Sequence, residues 1–529
     1  MLGGELSFHL LNVLLLTLCI APLVLWRYRR AVLAGMQGRI GAPLQVAAPA
    51  GRPAPAAAGD AQAALRWEAR LRRRVFMALL ACTFVCALPW ALLYFHLADE
   101  PATPVHLYLK AGAMASAAVP MAAVMLAWPF GRALVWWLLT LLGLAALSVP
   151  LSMLQRPFYG KAPSLDQAMN FVFFLQFAAV TLWLPALLGL ATGARRLRGV
   201  APITFAGLLV FGAAPLLGLR LTQWLTGTQS GAAWVLSGPG LYSGFILVAL
   251  PMGLLAWWRL KALAHRYEAK RFSDAQLLAA TWWTLLVAAE AVERISVRPG
   301  VGPLLLTLAV AALSVAAFPP LLARALQWAQ RGLPRPAPRT LLVLRVFGDT
   351  ARSEALFDRL VSRWRWFGPV TMIAAPDVVA RTVDPGDFLR FAVGDIGATF
   401  VTTADDLQQR LATLDRTPDP DGRYRVNEFC CRDSSWQATV VQLIERADAV
   451  VMDLRGYGPQ RAGCAFELGQ LAQRRQAAQV LLLVDGSTAA PYLDAQLAAA
   501  GMAPPRVTLP RRDRRAFDAA FAALLRAAG

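Results

Sequence analysis

The sequence runs Asp448-Ala-Val-Val-Met-Asp-Leu454, then Arg-Gly-Tyr-Gly-Pro-Gln-Arg-Ala, then Gly463-Cys-Ala-Phe-Glu-Leu-Gly469. The first run is an apolar stretch of strand length, the second is a loop rich in Gly and Pro, and the third begins a helix near Cys464. On that helix Cys464, Leu468 and Leu471 form an i, i+4, i+7 stripe, which predicts that this face packs against a sheet. A strand, a loop and a helix in this order form one repeating unit of an α/β domain.

The same alternation continues on both sides of this stretch. Strands are predicted at 340–347, 370–375, 424–429, 448–454, 479–484 and 506–509. Helices are predicted at 351–366, 384–393, 403–414, 434–446, 464–475, 491–500 and 511–527. Apolar strands that alternate with helices indicate a mostly parallel sheet covered on both faces. We therefore predict one cytoplasmic α/β domain over 340–529.

The amino-terminal part of the chain has a different composition. The chain of 529 residues is 57% hydrophobic and 16% charged, with a mean hydropathy of +0.48. Runs long enough to cross a bilayer, about 20 residues each, lie near 6–26, 75–97, 111–130, 133–154, 169–192, 202–219, 236–258, 275–292 and 302–323. These runs predict an all-α polytopic membrane domain of about nine transmembrane helices over 1–325. An Ala/Pro-rich linker is predicted at 42–65 and a Pro/Arg linker at 326–339.

The net charge of +20 is divided unevenly along the chain. Residues 1–337 hold 28 basic and 10 acidic side chains, whereas residues 338–529 hold 24 Arg and 22 Asp and Glu. The excess therefore lies in the membrane part, where it indicates orientation rather than nucleic-acid binding. With nine spans, 22 basic residues fall inside and six outside, which predicts a multi-pass protein of the cell (inner) membrane. The amino terminus is then outside and the α/β domain is cytoplasmic.

The run 275–292 is the one span with an alternative. It contains Glu290 and borders Glu293, so an amphipathic helix on the membrane surface is the other interpretation. Only with 275–292 as a true span do the basic residues alternate correctly between the two sides.

Ligands in parallel α/β sheets bind beyond the carboxyl ends of the strands. At these predicted ends the sequence has Phe347-Gly348, Asp453 and Asp485. Phe347-Gly348 would let a substrate approach the backbone closely, because glycine has no side chain. The aspartates have a structural alternative as turn formers or helix caps.

Two further candidates come from their neighbourhood in the sequence. Glu467 lies within the apolar stripe of its helix, where a carboxylate is an unusual choice for packing and indicates a site; the alternative is a favourable interaction with the helix dipole. Tyr424 begins a polar stretch, 424–433, that would supply ligand contacts, or would form an edge strand with solvated alternate residues.

Several classes of site are excluded by composition. There is no glycine-rich phosphate loop of the Walker or dinucleotide type. No His follows His265, so neither a Ser-His-Asp nor a Cys-His arrangement can be built in the α/β domain. Cys430, Cys431 and Cys464 lack the spacing of a zinc site. No metal and no cofactor are predicted, and any chemistry in this domain would depend on carboxylates.

The run Gly463 to Gly469 resembles the glycine-to-glutamate motif of nucleoside 2-deoxyribosyltransferases, whose glutamate is the nucleophile. It is also similar to the Cys-x-x-Glu-Leu helix start of Toll/interleukin-receptor (TIR) domains, where the glutamate supports NAD cleavage. Both families have flavodoxin-like sheets and break N-glycosidic bonds, so the chain is expected to be a bacterial membrane protein with such a domain. The resemblance implies a catalytic role for Glu467, with NAD as a substrate rather than a cofactor. Asp453, at the end of its strand, is the second candidate catalytic residue, which would orient the ribose or the glutamate. Ligand contacts would come from Phe347, Gly348, Tyr424, Gly463 and Asp485.

The sequence is consistent with two functions. The first is a membrane-anchored enzyme whose cytoplasmic domain binds a nucleotide and cleaves or transfers at its N-glycosidic bond. The second is a non-catalytic nucleotide- or protein-binding signalling module coupled to a membrane sensor. The expected partners are the lipid bilayer, a nucleotide and a second copy of the chain. An enzyme requires Glu467 to line a ligand-sized cleft together with a second acid or aromatic group, whereas an arginine that pairs with Glu467 would indicate a binding module.

Overall fold

A computed structural model describes residues 22–36, 61–98, 103–116, 118–126, 261–297, 300–345, 359–374, 385–432, 434–508 and 514–528, with a few single positions between 135 and 258. The chain divides into two compact units. The helical unit comprises residues 1–27, 75–329 and 383–394. The sheet unit comprises residues 28–74, 330–382 and 395–529. The predicted boundary between the domains lies close to the observed division at 329–330, but the sheet unit also includes residues 28–74.

The sheet unit is built on seven parallel strands in the spatial order β3-β4-β2-β1-β5-β6-β7. The strands are β1 (Leu341–Arg345), β2 (Val370–Ala374), β3 (Phe400–Val401), β4 (Val426–Cys431), β5 (Ala449–Asp453), β6 (Val480–Val484) and β7 (Arg506–Thr508). The order of β2, β1, β5, β6 and β7 is that of a doubly wound sheet of the flavodoxin type. The prediction of a mostly parallel sheet is thus confirmed, and β4 and β3 extend it beyond β2.

Helices of the carboxyl-terminal part alternate with these strands. They are α6 (Pro385–Val393), α7 (Ala404–Ala412), α8 (Trp436–Arg446), α9 (Ala462–Arg474), α10 (Ala490–Ala499) and α11 (Arg514–Ala527), with further helical residues at 359–364. Helix α7 begins with a capping box in which Thr403 and Asp406 satisfy each other's backbone N–H groups. The strand β3 was not predicted, because two residues are too few to show an alternating pattern.

The membrane part of the chain is helical where the structure describes it. Its helices are α1 (Ala61–Ala98), α2 (Pro104–Ser116), α3 (Ala118–Met125), α4 (Asp274–Val297) and α5 (Val301–Gln330). Among the described residues, two helices are long and apolar enough to cross a membrane, α1 and α5, whereas the sequence predicts nine. They correspond to the predicted spans 75–97 and 302–323.

The other predicted spans have different outcomes. The spans 6–26, 133–154, 169–192, 202–219 and 236–258 lie wholly or mostly outside the described residues. Of the run 111–130, residues 111–116 belong to α2 and residues 118–125 to α3, whereas residues 117 and 127–130 lie outside the described residues. The run 275–292 forms α4, but α4 is not among the two helices that qualify. Of the predicted linker 42–65, residues 61–65 belong to α1.

One hydroxyl group links three helices of the helical unit. The indole N–H groups of Trp90 on α1 and Trp283 on α4 both donate to Ser314 Oγ on α5, at 3.2 Å and 3.1 Å. Farther along α4, Glu290 and Arg294 are completely buried and form an ion pair. Glu290 therefore lies in the interior of this unit, where its charge is balanced by Arg294 rather than by solvent.

Residues before β1 are integral to the sheet unit rather than a free connection. Glu68 on α1 is 2% exposed and pairs with Arg363 at 3.0 Å. Arg335 donates to the carbonyl oxygen of Gly422 at 2.9 Å. The indole of Trp364 donates to the carbonyl oxygen of Arg339 at 2.9 Å. The predicted linker 326–339 is thus held against the sheet unit by hydrogen bonds at several points.

Gly368 is required where this linker passes the turn before β2. A Cβ atom at residue 368 would lie 2.0 Å from the carbonyl oxygen of Arg339. That oxygen accepts a hydrogen bond from the indole of Trp364, which holds it in place. We expect Gly368→Ala to lower the free energy of unfolding by about 2–3 kcal/mol, measured as the thermal midpoint of the full chain in detergent. Gly469→Ala is the matched control, because a Cβ at residue 469 of α9 meets nothing within 4 Å. Alanine is more favourable than glycine inside a helix, so Gly469→Ala should not lower the free energy of unfolding. An equal loss of stability in both variants would contradict a steric role for Gly368.

Candidate active site

The topology of the sheet indicates where a ligand would bind. Strands β1 and β5 are neighbours, and Arg345 is aligned with Asp453 at their carboxyl ends. The chain leaves β1 towards β2 on one side and leaves β5 towards β6 on the other. In doubly wound sheets, the crevice at such a reversal of strand order is the usual ligand site. The predicted contacts Phe347 and Gly348 follow β1 directly, but they lie outside the described residues.

Asp453 lies at this crevice and has a strong partner. It is 2% exposed, and its two oxygens accept hydrogen bonds from Arg455 Nε and Nη2 at 2.8 Å and 2.7 Å. The backbone N–H of Arg455 adds a third bond to the same carboxylate at 3.2 Å. A bidentate pair of this kind fixes the direction of the carboxylate. The oxygens of Asp453 that were predicted to orient a ribose are therefore engaged by Arg455 here.

Glu467 has the opposite environment. It is 1% exposed, and its Oε2 atom has no hydrogen-bond partner among the described residues. Cys464, Leu468 and Leu471 of the same helix are all buried, so the predicted inward stripe with a carboxyl group inside it is confirmed. Burial raises the pKa of Glu467 to about 8, because an apolar environment penalises the ionised form. The protonated form of this carboxyl group is therefore favoured to a higher pH than in an exposed glutamate.

Aromatic side chains surround the start of α9. Trp436, the first residue of α8, packs edge-on against Phe466 with 5.4 Å between ring centroids. Both rings are partly exposed. A Cβ atom at Gly463 would lie 3.7 Å from the Trp436 ring, so the glycine allows the indole to approach the helix. Because α8 follows β4 and α9 follows β5, these rings lie at the carboxyl edge of the parallel sheet.

Hydrogen bonds join the loops that follow β5 and β6 beside this site. Gly456 N–H donates to Ser487 Oγ at 2.9 Å, and Thr488 Oγ1 donates to the carbonyl oxygen of Leu454 at 2.9 Å. Asp485 accepts a bond from the backbone N–H of Ser487 at 2.9 Å. The predicted ligand residue Asp485 therefore shapes a turn in this structure, as its structural alternative predicts.

Tyr457 in the loop after β5 is buried, at 1% exposure. Burial, followed by the neighbouring Tyr492 and Cys464, raises the pKa of Tyr457 to about 12. A hydroxyl group with a raised pKa is a poor base, so Tyr457 is a packing residue of this loop rather than a candidate for proton transfer.

Tyr424 is not brought together with the other predicted residues. It precedes β4, so it lies at the amino-terminal edge of the sheet, whereas Asp453 and Asp485 lie at the carboxyl edge. Its backbone carbonyl accepts a bond from Arg365 Nε at 2.6 Å, and its ring lies 5.5 Å from the Arg335 guanidinium. Tyr424 therefore contacts Arg335 of the linker that precedes β1.

Three residues of the site were missed by the sequence analysis: Arg455, Arg461 and Trp436. Arg455 could have been found as the basic residue two positions after a strand-end acid, a spacing suited to a local ion pair. Arg461 is the residue that caps α9 without a side-chain hydrogen bond. The sequence gives no local signal for Trp436, since its proximity to Phe466 depends on the packing of α8 against α9.

The described residues contain no cluster of three or more His, Cys, Asp and Glu side chains that could hold a metal ion. Cys430, Cys431 and Cys464 are buried and form no disulfide bond among the described residues. No family model matches the chain, and no curated protein or solved structure matches it. The resemblance of Gly463–Gly469 to deoxyribosyltransferases and TIR domains therefore remains a prediction from the sequence.

Proposed function

We propose that this is a membrane-anchored enzyme whose α/β domain binds a nucleotide and cleaves or transfers at its N-glycosidic bond. The observation that supports the proposal is the carboxyl group of Glu467. It is buried, its Oε2 atom has no hydrogen-bond partner in the described part of the chain, and it belongs to the helix that follows β5 at the reversal of strand order. A perturbed carboxyl group at such a position is typical of acid, base or nucleophilic chemistry.

The chemistry follows from the charge that the reaction develops. Breaking an N-glycosidic bond creates an oxocarbenium-like ribose, which a carboxylate within about 3 Å can stabilise or trap covalently. Glu467 would supply this carboxylate after losing its proton. The aromatic rings of Trp436 and Phe466 would offer a surface on which the base of the nucleotide stacks.

The second candidate function is a binding module that signals without catalysis. The observation that favours it is that Asp453, the other predicted catalytic acid, is engaged by Arg455, while Glu467 is only 1% exposed. A nucleotide or a protein would then bind at the carboxyl edge of the sheet without reacting. NAD is a substrate under the first function and a ligand under the second.

The experiment that separates them uses the full chain in detergent, incubated with NAD and with nucleosides while released base is measured. Base release supports the enzyme. Saturable binding without release supports the module. The full chain is needed because residues 61–74 and 330–339 form part of the sheet unit.

The membrane arrangement proposed here has nine spans, with the amino terminus outside and the α/β domain in the cytoplasm. Its support is the distribution of basic residues and the buried contact of α4 with α1 and α5 through Ser314. We expect a reporter fused after Gly529 to behave as cytoplasmic and one fused before Met1 as external. A carboxyl-terminal reporter found outside would remove 275–292 as a span.

A further inference from the structure

The start of α9 carries donor groups that no side chain satisfies. Arg461 occupies the position before the first helical turn, where Ser, Thr, Asp or Asn usually accepts a hydrogen bond from the backbone, and it makes no such bond. An arginine has no acceptor to offer. The backbone N–H groups of Ala462 and Gly463 consequently have no acceptor among the described residues.

The side chain of Arg461 also has a hydrogen-bond donor that is not satisfied. Its Nε atom is buried and has no hydrogen-bond partner in the described part of the chain, although a buried guanidinium N–H normally has one. The backbone N–H of Arg461 donates to Gly458 at 3.0 Å, which fixes the residue at the end of the loop. A guanidinium group and free backbone N–H groups at one helix start both attract the oxygens of an anion.

Glu467 provides an independent observation at the same place. It lies one and a half turns into α9, and helical side chains lean towards the amino terminus of their helix. Its Oε2 atom is buried and has no hydrogen-bond partner among the described residues. A buried polar atom of this kind indicates that a further group completes the site. Gly463, which has no side chain, leaves the backbone of that turn accessible.

We infer that the site takes a phosphate-bearing ligand whose phosphate oxygens bind Arg461 and the first N–H groups of α9. This inference rests on the proposed function and narrows it, because a nucleotide is then favoured over a free nucleoside. The phosphate lies at the helix start and the base stacks towards Trp436 and Phe466. The ribose lies between them, within reach of Glu467.

The test measures binding of adenosine 5′-monophosphate, adenosine and inorganic phosphate to the full chain in detergent. We expect the monophosphate to bind at least about tenfold more tightly than adenosine, since charge-assisted hydrogen bonds are the stronger ones. Inorganic phosphate should compete with the monophosphate but not with adenosine. Arg461→Gln should remove most of the preference and leave adenosine binding unchanged.

Two further variants separate the site from a general loss of structure. Ala462→Pro removes one backbone N–H at a position where proline is well tolerated in helices, and it should also weaken binding of the monophosphate. Arg474→Gln removes an arginine from the far end of α9, where it pairs with Glu445, and it should change nothing. Retained adenosine binding shows that each variant is folded.

The inference is overturned if adenosine and its monophosphate bind equally well, if Arg461→Gln keeps the preference, or if neither the monophosphate nor phosphate binds. These outcomes differ from a failure of the proposed enzyme. Base release that is equal from both ligands overturns the phosphate site alone. A phosphate preference without any base release overturns the enzyme alone.

Discussion

Replacing Glu467 by Gln is expected to reduce base release about a thousandfold, which corresponds to about 4 kcal/mol of transition-state stabilisation. The amide has nearly the same size as the protonated carboxyl group, so the packing of α9 should survive. An amide cannot become an anion, so it cannot stabilise the positive charge that develops on the ribose. Nucleotide affinity should remain within a few-fold of the wild-type value, because the phosphate contacts are made by other groups. The measurement is the turnover of the full chain with NAD or nucleosides.

The control for this variant is Glu445→Gln on α8, which makes the same chemical change at a carboxyl group that pairs with Arg474. It should keep wild-type turnover. A Glu467→Gln protein as active as the wild type would defeat the enzyme proposal and favour the binding module. The pH profile adds a second readout. If Glu467 acts as an anion, the wild-type rate should rise with pH up to about 8, whereas a general acid would give a falling rate.

The α/β architecture was predictable because its signal is local. Strands β1, β2, β5 and β6 are mainly apolar runs. For every strand except β3, the observed bounds differ from the predicted ones by at most about two residues. The inward orientation of Glu467 was also predictable, since it depends only on the helical spacing of Cys464, Leu468 and Leu471. Local periodicity fixes which face of an element is buried, but it does not reveal the partner of that face.

What could not be predicted depends on contacts between distant residues. The basic segment 61–74 has the composition of a solvated loop before a membrane span, but Glu68 pairs with Arg363, which is 295 residues away. Asp453 was expected to face a ligand, but it pairs with Arg455. This pairing depends on the conformation of the loop after β5, which a hydrophobic pattern does not determine. Tyr424 was assigned to the site because it begins the polar stretch 424–433, but it precedes β4 and therefore lies at the edge of the sheet opposite to Asp453.

The stability of the protein is expected to depend on pH through the same carboxyl group. Because burial raises the pKa of Glu467 to about 8 from an ordinary value of 4.5, the folded state binds its proton more tightly than the unfolded state does. The resulting stabilisation is fully present below pH 4.5 and is lost progressively as the pH rises through 8. At about 1.4 kcal/mol per pH unit, the loss has an upper limit of about 5 kcal/mol.

Glu467→Gln cannot ionise, so it should escape this loss and become more stable than the wild type in alkaline solution. We expect the thermal midpoint of the variant, relative to that of the wild type, to increase by on the order of 10 °C between pH 5 and pH 9. Thermal unfolding of both full chains in detergent across that range measures the effect. The difference between Glu445→Gln and the wild type should not grow from pH 6 to pH 9, since that carboxyl group is already balanced by Arg474. A midpoint difference for Glu467→Gln that stays constant with pH would mean that Glu467 is ionised in the folded protein. Such a residue would be solvated or paired in solution, and the buried acid on which the proposed chemistry depends would not exist.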